Sequence, residues 1–238
     1  LFLQATQPWP PGRQWFVALQ NPNGATVAEW VGDSPGGWPV STWPDGALAQ
    51  APVRLGTPAT LPAGDYLLVA GFVDPASNTR SPAVPLGSLP IQRRPVSFVT
   101  PTAPQPLATP VQFGTHARLL GYDTVQEGET LTLHLYWEVL QTLLPPHNIF
   151  VHLDEAGGLT VAQADGPPRA ADQRAPTGSW LPGEYLVTVH QLLLPKEMTT
   201  ATLRVGLYQP ETGLRLPTSI GGQPTGDAAE LPWRTQTK

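Results

Sequence analysis

Thr130-Leu131-Thr132-Leu133-His134-Leu135-Tyr136-Trp137-Glu138 alternates without a break. Leu131, Leu133, Leu135 and Trp137 share one parity, and Thr132, His134, Tyr136 and Glu138 the other. A period of two puts these sets on opposite faces of a β-strand. Four large apolar side chains on one face require a core on that side. Working outward, Gln126-Glu127-Gly128-Glu129 reads as a turn, preceded by one or two short strands around Leu119-Leu120. Beyond Pro145-Pro146, Ile149, Val151 and Leu153 form a second apolar face, with Phe150 and His152 opposite. Asp154-Glu155-Ala156-Gly157-Gly158 is a hairpin connection into 159–164. A Pro/Gly-rich loop covers 165–183. Further strands are expected at 185–194, 202–208, 214–216 and 231–234. Seven or eight short strands at this spacing predict an all-β, antiparallel β-sandwich of immunoglobulin or fibronectin type. A jelly roll like that of carbohydrate-binding modules is the alternative architecture.

This strand set occurs twice. Residues 15–30 match 149–164 at a constant offset of 134, with seven of sixteen positions identical and no gap. Gly71, Pro75, Arg80 and Pro82 recur at an offset of 135 as Gly206, Pro210, Arg215 and Pro217. Trp43 and Trp180 lie between the blocks, and a shared packing role is expected of both. A duplication of this length predicts two tandem domains rather than a short-period solenoid. Pro101 to Pro110 holds four prolines in ten residues and reads as a semi-rigid spacer. The expected division is 1–100, a linker at 101–110, and 111–238. Leu1-Phe2-Leu3-Gln4 aligns with the interior of the 130–138 strand. The first copy therefore reads as truncated at its N-terminal side, and the chain as a piece of a longer polypeptide. In that copy Leu61-Pro62-Ala63-Gly64-Asp65-Tyr66 resembles a tyrosine corner.

Composition narrows the function classes. The 30 prolines in 238 residues exceed ordinary usage of ~5% more than twofold, which disfavours long helices. A net charge of −5 with only two lysines argues against a nucleic-acid surface. Cysteine is absent, which removes disulfides, thiolate metal sites and thiol nucleophiles. No run of ~18 apolar residues occurs, so no membrane span is expected in this segment.

Chemistry-bearing motifs are few. All five histidines fall in the second copy, with His134 and His190 expected as neighbours on one outer face and His152 in the other sheet. Their spacing matches no metal site, and no metal or cofactor is expected. Asp154, Glu155, Asp165, Asp172 and Glu184 fall in or near loops, where turn and cap chemistry is expected of them. Gly178-Ser179-Trp180 is not a nucleophile elbow, and no phosphate-binding glycine loop occurs. No catalytic residue is expected in this segment. The eight tryptophans carry the best functional hint. Trp30 and Trp38 sit in turn-rich, polar surroundings, and Trp30 has no aromatic counterpart in the second copy. Exposed indole faces stack on sugar rings, so Trp30 and Trp38 are the candidate ligand-binding residues.

Several phrases of the second copy carry a resemblance. They are His116-Ala117-Arg118-Leu119-Leu120-Gly121-Tyr122-Asp123, Leu133-His134-Leu135-Tyr136-Trp137, Phe150-Val151-His152-Leu153-Asp154, Ala162-Gln163-Ala164-Asp165-Gly166-Pro167-Pro168, and Leu203-Arg204-Val205-Gly206-Leu207-Tyr208 followed by Pro210-Glu211-Thr212-Gly213. Together they resemble the C-terminal extracytoplasmic β-sandwich regions of family 39, protein-mannosyltransferase-like membrane glycosyltransferases of Chloroflexi-type bacteria. The resemblance implies a non-catalytic accessory region of a membrane-anchored envelope protein, outside the cytoplasm, contacting glycan, acceptor or another envelope protein. The catalytic acids of such transferases lie in the membrane part, so none maps onto this chain. The alternatives are an independent glycan-binding or adhesion module of a secreted protein, and a structural spacer.

Overall fold

In a computed structural model the described residues are 2–6, 12–33, 42–50, 52–53, 55–171, 173–196, 198 and 200–234. They form an all-β structure of antiparallel sheets, with a 3-10 turn at Thr177–Ser179 and no α-helix among them. The chain divides into two compact units, Leu1–Arg93 and Arg94–Lys238. The first contains β1 (Phe2–Gln4), β2 (Gln14–Gln20), β3 (Thr26–Gly32), β4 (Leu48–Gln50), β5 (Gly64–Asp74), β6 (Thr79–Arg80) and β7 (Val84–Ile91). The second contains β8 (Gln105–Phe113), β9 (Ala117–Glu127), β10 (Thr130–Val139), β11 (Asn148–Asp154), β12 (Thr160–Gln163), β13 (Arg169–Ala170), β14 (Gln173–Arg174), β15 (Tyr185–Leu193), β16 (Thr200–Tyr208), β17 (Thr218–Ile220), β18 (Gln223–Gly226) and β19 (Ala229–Arg234).

The second unit packs two sheets face to face. One has the order β14-β13-β15-β10-β9-β8-β17-β18, the other β12-β11-β16-β19. Their inner faces form a single apolar cluster. Leu131, Leu133, Leu135 and Trp137 of β10 join Ile149, Val151 and Leu153 of β11 and Leu203, Val205 and Leu207 of β16. The alternation that decides the fold is thus the inward row of a central strand. Trp137 meets Phe113 edge-on at 5.3 Å and Trp180 at 5.9 Å, and Trp180 donates its Nε1–H to the Ala175 carbonyl at 2.8 Å. Trp43 of the first unit is likewise buried.

Corresponding residues of the two units pair in the same register. Phe16 faces Gly71 across β2 and β5, and Phe150 faces Gly206 across β11 and β16. The hairpin β2–β3 carries a bulge after Leu19, and β11–β12 carries one after Leu153. β1 pairs with β4 as Leu3↔Ala49, the equivalent of Trp137↔Leu186 between β10 and β15. Even a surface contact recurs. The Arg80 guanidinium lies 4.9 Å from the Phe16 ring centre, and Arg215 lies 4.2 Å from that of Phe150. Each phenylalanine thus lies over a glycine and under an arginine. A Cβ on Gly71 would sit 2.7 Å from the Phe16 ring and one on Gly206 2.2 Å from the Phe150 ring, so neither site has room for a side chain. At the start of β5 the Tyr66 hydroxyl donates to the Pro62 carbonyl at 2.9 Å.

The proline-rich stretch differs from the expected spacer. The units divide ahead of it, and residues from Gln105 onward belong to β8. The ladder between β8 and β9 breaks after Pro106↔Gly121 and resumes at Val111↔Leu119. That break leaves Pro110 in an unpaired bulge, where a residue lacking an N–H costs no ladder bond. Gly121 lets the incoming chain approach closely, since a Cβ there would lie 2.6 Å from that of Ala103 and 2.7 Å from the Gln105 carbonyl oxygen. The hairpin β17–β18 had no counterpart in the sequence reading, and 214–216 makes only an isolated bridge, Tyr208↔Arg215.

Candidate functional site

Trp30 lies on β3, half-buried, in the apolar cluster of Trp15 and Val17. Its ring stands edge-on to Trp15, with centroids 5.6 Å apart and planes at 87°. The six-membered ring also lies against the backbone at Gly32, where a Cβ would fall 2.3 Å from it. Much of the indole is therefore engaged within the first unit, which narrows the surface it can offer a ligand. Trp38 lies outside the described residues.

The histidines do not gather. His190 is a correction to the sequence reading: it opposes Leu133 and points inward, not onto the outer face with His134. Leu186, Thr188, His190 and Leu192 share the buried parity of β15. The inward polar residues are satisfied by one another. Trp137 donates its Nε1–H to Thr188 Oγ1 at 2.9 Å, and His190 Nε2 lies 3.1 Å from the same oxygen. Burial, reinforced by the neighbouring His134, lowers the His190 pKa from 6.5 to about 4. His152 lies in the other sheet, as expected, beside Phe150 and 3.4 Å from Asp165. Among the described residues no three His, Cys, Asp or Glu side chains are placed to hold a metal ion.

The carboxylates act on their own chain. Glu184 is fully buried and takes a bidentate contact from Arg94, plus the Leu181 N–H at 2.9 Å. Arg94 also donates to Ser179 Oγ at 3.1 Å and to the Ser179 carbonyl at 2.9 Å. This knot fastens the start of the second unit to the turn preceding β15. Asp154 accepts from the Thr160 hydroxyl at 2.6 Å and faces Arg204, closing the bulged hairpin.

A different group of residues makes an open polar surface. Ser219 pairs with Gln112, Gln112 with Arg118, Arg118 with Glu138 and Glu138 with Tyr185. These five residues form one row across β17, β8, β9, β10 and β15. Arg118 carries the parity opposite to Leu119, and Glu138 that opposite to Trp137, so the row faces away from the core. Neighbouring strands lie ~4.8 Å apart, so the row offers a hydrogen-bonding group at about that interval. Arg118 Nη1 donates to Glu138 Oε2 at 3.2 Å, and Gln112 Nε2 to the Gly114 carbonyl at 2.8 Å. Four members of the row (Gln112, Arg118, Glu138 and Ser219) line a depression of about 380 Å³, bordered by Pro110 and Gly221. That size falls within the ~300–1,000 Å³ of ordinary ligand sites. From sequence alone the alternation of 130–138 puts Glu138 on the outward face, and Arg118 carries no such signal. The two come together only once the five strands are in register.

No protein-family model matches this sequence, and no curated protein matches it. Among the described residues no helix is long and apolar enough to cross a membrane.

Proposed function

We propose that this chain is a non-catalytic, extracytoplasmic pair of immunoglobulin-like β-sandwich units. It serves as the accessory region of a cell-envelope protein, of the kind found on the family 39 membrane glycosyltransferases that its second half resembles, and it contacts a glycan or acceptor. The observation that carries the contact is the polar row Ser219–Gln112–Arg118–Glu138–Tyr185 with its 380 Å³ depression. A row of planar amide, guanidinium and carboxylate groups running across strands suits an extended polyhydroxylated chain. Each such group can bond two adjacent hydroxyls, and bonds to charged partners are the stronger ones. The pyrrolidine of Pro110 supplies an apolar surface at the rim. The Tyr66–Pro62 bond supports the immunoglobulin-type reading of the units.

A glycan array followed by calorimetry on the best-bound oligosaccharide tests the proposal. Arg118→Ala combined with Glu138→Gln is expected to weaken binding at least tenfold while the circular dichroism spectrum stays unchanged. Trp30→Ala and Trp38→Ala, assayed beside it, report on the indole platform. A chain that binds no glycan on the array, or binds equally well without Arg118 and Glu138, overturns the glycan contact and leaves a spacer.

A further inference from the structure

Three properties of the polar row in the second unit bear on what can lie along it. The first is its spacing. Ser219, Gln112, Arg118, Glu138 and Tyr185 stand one to a strand, ~4.8 Å apart. Exposed Ser97 pairs with Tyr185 as an isolated bridge and continues the row by one residue. The second is its charge. Arg118 and Glu138 are the charged residues lining the depression, and they pair with each other at 3.2 Å while their side chains stay 43% and 23% exposed. An anionic ligand would have to draw Arg118 away and would then face Glu138 without its counter-charge. The third is its twist. Neighbouring strands are rotated by about 20–25°, so five residues in a row sweep through roughly 80–100° from end to end. The borders of the depression are low. The chain turns from β17 to β18 through Gly221 and Gly222, at φ 57° and 82°, and puts no side chain over it there. Pro110 and, two residues before Glu138 on the same face of β10, Tyr136 place ring surface beside the row.

Resting on the glycan reading above, we propose that the ligand is a neutral, unbranched polysaccharide joined by equatorial β-1,4 linkages. It is taken as a single soluble chain lying across the strands, with one sugar to each residue of the row. Equatorial linkages keep such a chain extended, and each pyranose advances it by about one strand spacing. Its hydroxyls then meet one amide, guanidinium, carboxylate or hydroxyl group after another, and its apolar ring faces rest on Pro110 and Tyr136. The paired Arg118 and Glu138 favour an uncharged sugar, to which the one donates and from which the other accepts. An α-1,4-linked chain coils away from a straight row. The face of a crystalline polymer is flat and meets only part of a surface that turns.

The probes are β-1,4-linked gluco-, manno-, xylo- and chito-oligosaccharides of two to six sugars, titrated calorimetrically into the intact chain. In at least one series the affinity is expected to rise at least tenfold from dimer to tetramer and to level off at five or six sugars. Ser219→Ala and Tyr185→Ala, at the two ends of the row, should remove the gain of the longest members and leave the trimer unchanged, with the unfolding transitions unmoved. Maltose-series chains, oligogalacturonates and microcrystalline cellulose or chitin should each bind at least tenfold more weakly than the best oligosaccharide. An affinity independent of length, a best ligand that is a single sugar or an acidic, α-linked or crystalline one, or end substitutions that leave the hexamer unaffected would overturn this inference and leave the glycan contact standing. Binding of no carbohydrate at all would overturn both.

Discussion

Thr188 Oγ1 serves two ring nitrogens in the core, at 2.9 Å from Trp137 Nε1 and 3.1 Å from His190 Nε2. Trp137 can only donate to it, so the hydroxyl proton is free to point at a neutral His190. Protonating His190 removes that acceptor and places a charge among leucines. The folded pKa of about 4 lies below the unfolded value of 6.5. The unfolded chain therefore takes up this proton first as pH falls. Stability from this group is complete above about pH 6.5 and declines toward pH 4, by up to about 3 kcal/mol. Urea unfolding at pH 7, 5.5 and 4 should show that decline relative to His190→Leu, in which the contribution is gone. Parallel curves for the two proteins would disprove it. The Arg94–Glu184 pair has the opposite character, being buried and already ionic. Removing one partner leaves a carboxylate without its counter-charge inside the protein, so Arg94→Met is expected to cost about 3–5 kcal/mol. Glu184→Gln in the Arg94→Met background should recover part of that loss. A double variant no more stable than Arg94→Met alone would show that Glu184 was not bearing an unpaired charge.

The crossing of β11 and β16, like that of β2 and β5, works because one strand has a phenylalanine where the other has glycine. Gly206→Ala forces a methyl group to within 2.2 Å of the Phe150 ring and 2.8 Å of the Asp227 carbonyl oxygen, whereas Gly71→Ala meets Phe16 at 2.7 Å. Overpacking of this kind costs about 1–3 kcal/mol, and more is expected at Gly206 than at Gly71. Phe150→Leu should rescue part of the Gly206→Ala loss, measured as a double-mutant cycle by chemical denaturation. No coupling between the two would refute the packing account. Elements such as these were legible where a period of two coincided with burial on one face. Thr130–Glu138 could be read strand by strand and face by face for that reason. β15 was not legible in the same way, because apolar residues occupy both parities and the inward polar ones find partners only in the folded core. β8 was hidden by Pro106 and Pro110, which mark a spacer in isolation but are tolerated where a ladder breaks. The polar row was hidden for a further reason: its five members come from segments as far apart as Gln112 and Ser219, and only register aligns them.

At the scale of the whole chain, the same strand order β3-β2-β5-β7 and β12-β11-β16-β19 is built twice, but with unequal cover. The second unit joins both sheets in one cluster of large buried side chains. The first divides its buried residues among three smaller clusters and leaves Val84 and Leu89 uncovered. Less apolar area removed from water means less stabilisation, at roughly 25 cal/mol per Å². The first unit is therefore expected to melt first, and calorimetry should resolve two transitions. Leu19→Ala and Leu133→Ala each delete a fully buried side chain, in the first and second units respectively. Each such deletion costs about 2–5 kcal/mol. Leu19→Ala should lower only the first transition, by at least about 8 °C for a unit of this size, and Leu133→Ala only the second. A single transition displaced by both substitutions would mean that the two units unfold as one cooperative body, and the unequal cover would then have no separate thermodynamic expression.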